Sequence, residues 1–286
     1  MNFPEFVYTV LLKPRPLKKL ANRVLLWMLP ERIKIGQAVV CLDPDDPVVS
    51  GASALGVYEK DELRFFQDHC RPGMVVVDVG ANVGIYTAMA LRLAAPDGRV
   101  ISFEPNPHSR AFLEKTVAAN AGGAASQIYP LALSDRDGQA ELHLNKDNKG
   151  DNRLYASDLS SDSLQIQTRC LDSVLGEMGV HEIHFIKIDV QGCEPLVLTG
   201  AQETLRRSPN VMMMSEFWPQ GMRAAGGASP RAYLDNLVAL GFRLFTLKDG
   251  HLATLAEPAF DALIANLPDR QYANIVAAKG TALEKL

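Results

Sequence analysis

Little in this sequence of 286 residues favours a disulfide framework, a membrane span or a nucleic-acid partner. Cysteine is scarce, and Cys41, Cys70, Cys170 and Cys193 stand apart with no Cys-x-x-Cys pair. That spacing offers no zinc-ligand set, so no metal is expected from it. It reads instead as four reduced thiols in a cytoplasmic chain. Long apolar runs are missing too. Residues 6–12 stop at Lys13-Pro14-Arg15-Pro16 and residues 24–29 stop at Pro30, well short of the ~20 residues a membrane span needs. The basic residues follow the first apolar run, the reverse of a secretory signal. Nor is there an excess of positive charge. Lys and Arg number 29 against 33 Asp and Glu, a net charge of −4, so the chain lacks the basic footprint of a nucleic-acid enzyme.

What is present is a core: hydrophobic residues make up 47% of the chain. Residues 1–35 differ from the rest. Lys13, Arg15, Lys18, Lys19, Arg23, Arg32 and Lys34 face only Glu5 and Glu31, with Phe3, Phe6, Tyr8, Leu11, Leu12, Leu25, Leu26 and Trp27 interleaved. Such a stretch is expected to cover the main domain or a partner. Peripheral contact with the acidic inner face of a membrane is the other reading. Residues 38–42 read as a strand and 60–69 as a helix. Arg71-Pro72-Gly73 then marks a boundary, giving an N-terminal extension over 1–70 and a main domain over 71–286.

In the main domain, strand and helix patterns alternate. Residues 74–79, 99–103, 127–133, 183–188 and 210–215 are apolar runs of strand length. Helical spacing follows over 85–93, 109–120, 194–206 and 231–240. Residues 139–144 and 164–170 alternate as half-exposed antiparallel strands around a polar loop. Residues 242–247 and 274–278 are the last strands, the final one antiparallel. Repeated βα units predict a doubly wound, Rossmann-like α/β sheet, mostly parallel, with helices on both faces. Sheets of this kind bind ligands beyond the carboxyl ends of their strands.

The first of those ends is Val77-Asp78-Val79-Gly80-Ala81-Asn82-Val83-Gly84. Glycine at 80 lets backbone approach a ligand, and Gly84 lets the next helix start tightly. The spacing is not the dinucleotide fingerprint, and Asp78 would repel a pyrophosphate. A carboxylate there suits a cationic amino-acid end. The second strand ends Phe103-Glu104-Pro105-Asn106, and an acidic residue at that distance can take both hydroxyls of a ribose. A nucleoside with an ammonium and no phosphate fits both, which points to S-adenosylmethionine. The expected cofactor residues are Asp78, Gly80, Asn82, Gly84, Tyr86, Glu104 and Asn106. Leu133 and Ser134, ending the third strand, are expected beside the base, and Asp135 is an alternative to Ser134.

Two further strand ends carry carboxylates. Asp189 follows 183–188 and Glu216 follows 210–215. Lys187 lies two residues before Asp189 and shares its face. Asp189 is expected to take a proton or orient an acceptor, Glu216 is the next candidate, and Lys187 holds the charge of Asp189. Tyr58, Tyr86 or Trp218 is expected to pack against a sulfonium. His184, early in its strand, is a weaker base.

These residues resemble the FkbM-type methyltransferase family over about residues 50–220. The resemblance rests on Gly56-Val57-Tyr58-Glu59, the Asp78–Gly84 loop, Phe103-Glu104-Pro105, Leu131-Ala132-Leu133-Ser134 and Lys187-Ile188-Asp189-Val190-Gln191-Gly192, followed by Glu194 and Gly200. It implies O-methylation of a hydroxyl on a sugar, glycan or polyketide-like metabolite, with S-adenosylmethionine held by the Asp78 loop and Glu104. The family run carries Glu where this chain has Gln191. A nicotinamide-dependent oxidoreductase and a non-catalytic scaffold are the competing readings. The acidic Asp78 weighs against the first, and the retained Asp78, Glu104 and Asp189 weigh against the second.

Overall fold

A computed structural model of the chain describes residues 29–286 except Pro47, Lys146, Asp147 and Leu159. The expected cover or membrane contact of residues 1–35 therefore falls almost wholly outside the described residues. Among the described residues, no helix is long and apolar enough to cross a membrane.

Strands β1 (Arg32–Ile35) and β2 (Ala38–Cys41) form an antiparallel hairpin. The chain then lays down β3 (Val75–Val79), β4 (Arg99–Phe103) and β5 (Ala125–Tyr129) side by side. It departs into a small sheet of β6 (Ala132–Leu133), β7 (Gly138–Asn145) and β8 (Ser160–Arg169). It returns with β9 (Phe185–Ile188), β10 (Met212–Phe217), β11 (Arg243–Lys248), β12 (His251–Leu255) and β13 (Ala273–Ala278). The central sheet is eight-stranded, in the order β12-β11-β13-β10-β9-β3-β4-β5. Its β10-β9-β3-β4-β5 half is parallel. β13 is antiparallel to both its neighbours. This is the doubly wound α/β sheet with an antiparallel last strand that the sequence predicts.

Strand alternation builds one core on each face. Val77, Val79, Ile101, Phe103, Ile186, Ile188, Met213 and Phe217 meet the helices Leu171–Glu177, Glu194–Thr199, Gln202–Arg207 and Pro230–Ala239. Val76, Val100, Phe185, Met212 and Met214 meet the helices Lys60–His69 and Ile85–Leu93 and strand β2. On this second face the period-two rule continues into polar residues near the carboxyl ends: Asp78 on β3, Ser102 on β4, Lys187 on β9 and Glu216 on β10. The hairpin β1–β2 and the helices between residues 49 and 69 pack into this same second core, where Val40, Val49, Phe65 and Phe66 are buried.

Three sequence expectations need correction. Residues 127–133 are not one strand: β5 ends at Tyr129, before Pro130, and β6 pairs with β8 in the other sheet. A proline carries no ladder donor, which ends the run there. The helix expected over 194–206 is two helices, Glu194–Thr199 and Gln202–Arg207. The break lies at Gly200, where a Cβ would come within 2.0 Å of the Ser134 carbonyl oxygen. Lastly, β10 runs on to Phe217, so Glu216 stands inside the strand, opposite Asn274 of β13.

Candidate active site

A cavity of about 280 Å³ opens at the carboxyl ends of β3, β4, β9 and β10. Backbone geometry marks it out. Only five non-glycine described residues hold a positive φ, and three of them, Glu59 (37°), Asn82 (51°) and Gln191 (54°), line this cavity. Such conformations cost energy and persist where the surroundings enforce them.

The glycine loop forms one wall. Gly80 has φ 79°, and its amide and that of Ala81 both donate to the Phe103 carbonyl at 3.0 Å. A Cβ on Gly80 would lie 2.0 Å from the Asp189 carbonyl oxygen. The loop thus packs directly on the end of β9 and brings two ligand-facing turns into contact. Glu104, 7% exposed, accepts from the amides of Asn82 and Asn106, both at 2.8 Å. Burial pushes its carboxyl up to about 7 against the pull of those two donors. The Asn82 Oδ1 is buried on this wall without a hydrogen-bond partner.

A cluster of charged groups forms the opposite wall. Lys187, 7% exposed, places its ammonium 3.2 Å from Asp189 Oδ2 and 4.9 Å from the Tyr86 ring centre. Asp189, Glu59 and Asp78 overcome the effect of burial and hold Lys187 above the ordinary lysine range. The Gln191 amide donates to Asp189 Oδ1 at 2.8 Å and to Glu216 Oε2 at 3.3 Å. Burial first, and then the Asp189 and Glu194 charges, push Glu216 well above the usual carboxylate range. Tyr86 donates its hydroxyl to Glu59 at 2.7 Å. Tyr58 and Tyr272 complete this end.

The carboxylates of Asp189, Glu194 and Glu216 bring one oxygen each within 4.8 Å of the others, the arrangement a cation would use. Glu194 is already committed elsewhere. Its Oε1 accepts from Val190 at 3.0 Å and its Oε2 from Gly192 at 3.0 Å. The cavity wall is completed by Leu142 of β7 and by Asn148, Lys149, Gly150, Asn152 and Leu154 from the connection between β7 and β8.

The structure brings Gly80, Asn82, Tyr86, Glu104, Lys187, Asp189 and Glu216 together around this cavity. It sets the other expected residues apart. Asp78 is buried one layer below, accepting from Thr87 Oγ1 at 2.6 Å. Gly84 faces the helix Pro107–Ala119, where a Cβ would reach Leu113 at 2.6 Å. Asn106 caps that helix, accepting from His108 N at 3.0 Å. Leu133 and Ser134 do not line the cavity; Leu131 and Ala132 take that place, because β6 turns into the small sheet. Asp135 follows them and accepts from Ser134 Oγ at 3.1 Å. Trp218 lies off the cavity, its ring covered by the Arg153 guanidinium at 4.7 Å. His184 accepts from Val75 N at 3.0 Å, at the start of its strand.

A family model described as the methyltransferase FkbM domain matches residues 78–272, about two thirds of the chain. The chain belongs to the FkbM methyltransferase family. Its methyl donor is S-adenosylmethionine. The site fits that donor in the features above: an unpartnered buried Asn82 oxygen for a hydroxyl or ammonium, a Gly80 backbone with no side chain in the way, and a buried Glu104 carboxylate. Among curated relatives, the 2-O-methyltransferase NoeI of Sinorhizobium fredii is 28% identical over 156 residues, 48% of this chain and 61% of that protein. The 31-O-demethyl-FK506 methyltransferase FkbM of Streptomyces tacrolimicus is 28% identical over 177 residues, 49% of this chain and 67% of that protein. The match thus spans less than two thirds of NoeI. Among solved structures, an S-adenosylmethionine-dependent O-methyltransferase of Thermotoga maritima is 11% identical, with a TM-score of 0.42, over 87% of this chain and 77% of that one.

Reading by strand ends missed Glu59, Tyr272, Asn148 and Asn152. They arrive from remote stretches of chain, and only Glu59 had a signal, its place in the Gly56–Glu59 motif.

Proposed function

We propose that this FkbM-family methyltransferase methylates a hydroxyl oxygen on a small-molecule or glycan acceptor, a sugar or polyketide-like metabolite. The observation that carries the reading is the Lys187–Asp189–Gln191–Glu216 cluster on the cavity wall facing the glycine loop. Both relatives quoted above are O-methyltransferases by name.

When bound, S-adenosylmethionine supplies an electrophilic methyl group on a sulfonium. Glu104 binds the two ribose hydroxyls, and the Asn82 oxygen and the Gly80 backbone hold the amino-acid end. Val83, Phe103, Leu131, Ala132 and Leu142 offer an apolar wall for the base. Asp189 accepts the proton that leaves the acceptor hydroxyl. Lys187 holds the Asp189 carboxylate in place. Glu216, raised by burial, keeps its own proton and serves as a donor to the acceptor. Residues up to 70 act as an extension that walls the site through Val49, Tyr58 and Glu59. For the basic stretch 1–35, cover over the main domain or a partner is the first reading and peripheral attachment to an acidic membrane face the second. Sedimentation with acidic-lipid vesicles at low salt checks that attachment, and failure to co-sediment sinks it.

The test of the function is a screen with methyl-labelled donor against glycan fractions and small-molecule extracts. Alkali-stable label in a hydroxyl-bearing product is expected. Label found only on nitrogen or carbon, from a chain that binds the donor, overturns the reading.

A further inference from the structure

Lys149 and Lys187 both line the cavity, in different circumstances. Lys187 is already matched: Asp189 stands 3.2 Å from its ammonium, and Glu59 and Asp78 add their charge. Lys149 is half-buried, and no carboxylate among the described residues pairs with it. A cation held at a cavity wall without a counter-charge offers a place to an anionic group of the ligand.

The chain sets Lys149 beside the glycine loop. It lies on the connection between β7 and β8, where its carbonyl accepts from Asn152 Nδ2 at 2.8 Å and Asn148 Oδ1 accepts from the Gly150 amide at 3.1 Å. A Cβ on Gly150 would meet Val49 Cγ2 at 2.8 Å and Asn82 Nδ2 at 3.3 Å, so this turn packs against Asn82 itself. Further along, Tyr155 donates its hydroxyl to the Gln191 carbonyl at 3.1 Å and ties the same connection to the end of β9. Asn82 Oδ1 is buried without a partner. One side of the cavity therefore offers an unmatched acceptor and an unmatched cation in neighbouring residues. The methionine end of the donor carries the complement, an ammonium that donates and a carboxylate that accepts. The other charged groups on the wall, Glu59, Glu104, Asp189 and Glu216, would repel that carboxylate.

We propose that Lys149 binds the carboxylate of S-adenosylmethionine, so that the β7–β8 connection completes the donor site that the glycine loop begins. The inference rests on the reading above that seats the amino-acid end against Asn82 and Gly80.

Calorimetry on the full chain tests it with two ligands, S-adenosylmethionine and its decarboxylated form, which keeps the amine and the sulfonium and lacks the carboxylate. Wild type, Lys149→Met and Asn82→Gly are titrated with each. Asn82→Gly removes the side chain at φ 51°, where glycine fits. In Lys149→Met, affinity for S-adenosylmethionine should fall about tenfold or more, while affinity for the decarboxylated form holds or rises. Loss of a distant positive charge has the opposite sign, because it favours both of these net-positive ligands. A residue that merely shapes the connection would weaken both ligands alike, and that result overturns the proposal. Unchanged or higher affinity for S-adenosylmethionine in Lys149→Met overturns it too. Asn82→Gly reports separately on the seat of the amino-acid end, because both ligands carry the amine. Equal loss for both supports that seat, and no loss for either removes it, whichever way the Lys149 comparison falls.

Discussion

Glu104 and Asp189 carry the same functional group in opposite settings. Glu104 is buried with two backbone donors, and burial still wins, so its carboxyl is pushed up to about 7. The charged form is the better acceptor for ribose hydroxyls. Donor affinity should therefore rise as pH increases from about 6 to about 8, with proton release on binding. Calorimetry in buffers of different ionisation enthalpy would show this. Glu104→Gln should flatten the dependence; a slope that survives in that variant places the titrating group elsewhere. Asp189 differs in being paired with an ammonium at 3.2 Å. Asp189→Asn keeps its shape and removes its charge. Turnover to S-adenosylhomocysteine should fall at least about tenfold, roughly 1.4 kcal/mol of barrier, while donor affinity holds. Full activity in Asp189→Asn together with loss in Glu216→Gln would exchange their roles.

Elements differ in how much of them the sequence reveals. Buried parallel strands were legible because a strand covered on both faces is mostly apolar: Val75–Val79 and Phe185–Ile188 are broken only by Asp78 and Lys187, near their carboxyl ends. The helix Ile85–Leu93 was placed residue for residue. Sheet membership was not legible, since β5 and β6 are separated only by Pro130 and Leu131 yet belong to different sheets. The glycine loop and the strand-end carboxylates were legible by spacing. The residues that descend on them from above were not, because Asn148, Asn152 and Tyr155 carry no pattern that names their target. Two element-level outcomes follow from contacts of this kind. Gly80→Ala would set a methyl 2.0 Å from the Asp189 carbonyl at φ 79°. It should cost at least about 2 kcal/mol of stability and abolish donor binding. A melt and a titration test both. Tyr155→Phe removes the hydroxyl that ties the upper loop to Gln191. A lost hydrogen bond of about 1 kcal/mol should raise loop opening roughly fivefold, read as faster amide exchange over residues 148–155. Unchanged exchange would mean that Arg153, stacked on Trp218 and paired with Asp151 at 2.6 Å, holds the loop alone.

Over the whole molecule, buried carboxyls set the dependence of stability on pH. Burial is the first cause of the upward shift in Asp46, Asp78, Glu104, Glu194 and Glu216, with Glu104 and Glu194 both near about 7. A carboxyl whose folded pKa exceeds its unfolded one keeps its proton in the native state while the unfolded state has lost it. Between about 4.5 and about 7 the native state then binds more protons, and stability falls as pH rises. Lys187 is shifted upward as a cation, so its contribution is present throughout this window and is lost only at far higher pH. Asp137 is shifted downward with Cys170 N and Arg169 as partners, but it sits in solvent and its pair is screened. The sign is therefore set by the buried group. The donor-free chain should melt at least about 3 °C lower at pH 7.5 than at pH 5.5. Saturating donor should narrow the difference, because binding favours ionised Glu104. A melting temperature that instead rises across that interval would show that these carboxyls are ionised at no cost in the fold, and a donor affinity that depends on pH would then lose its physical basis in Glu104.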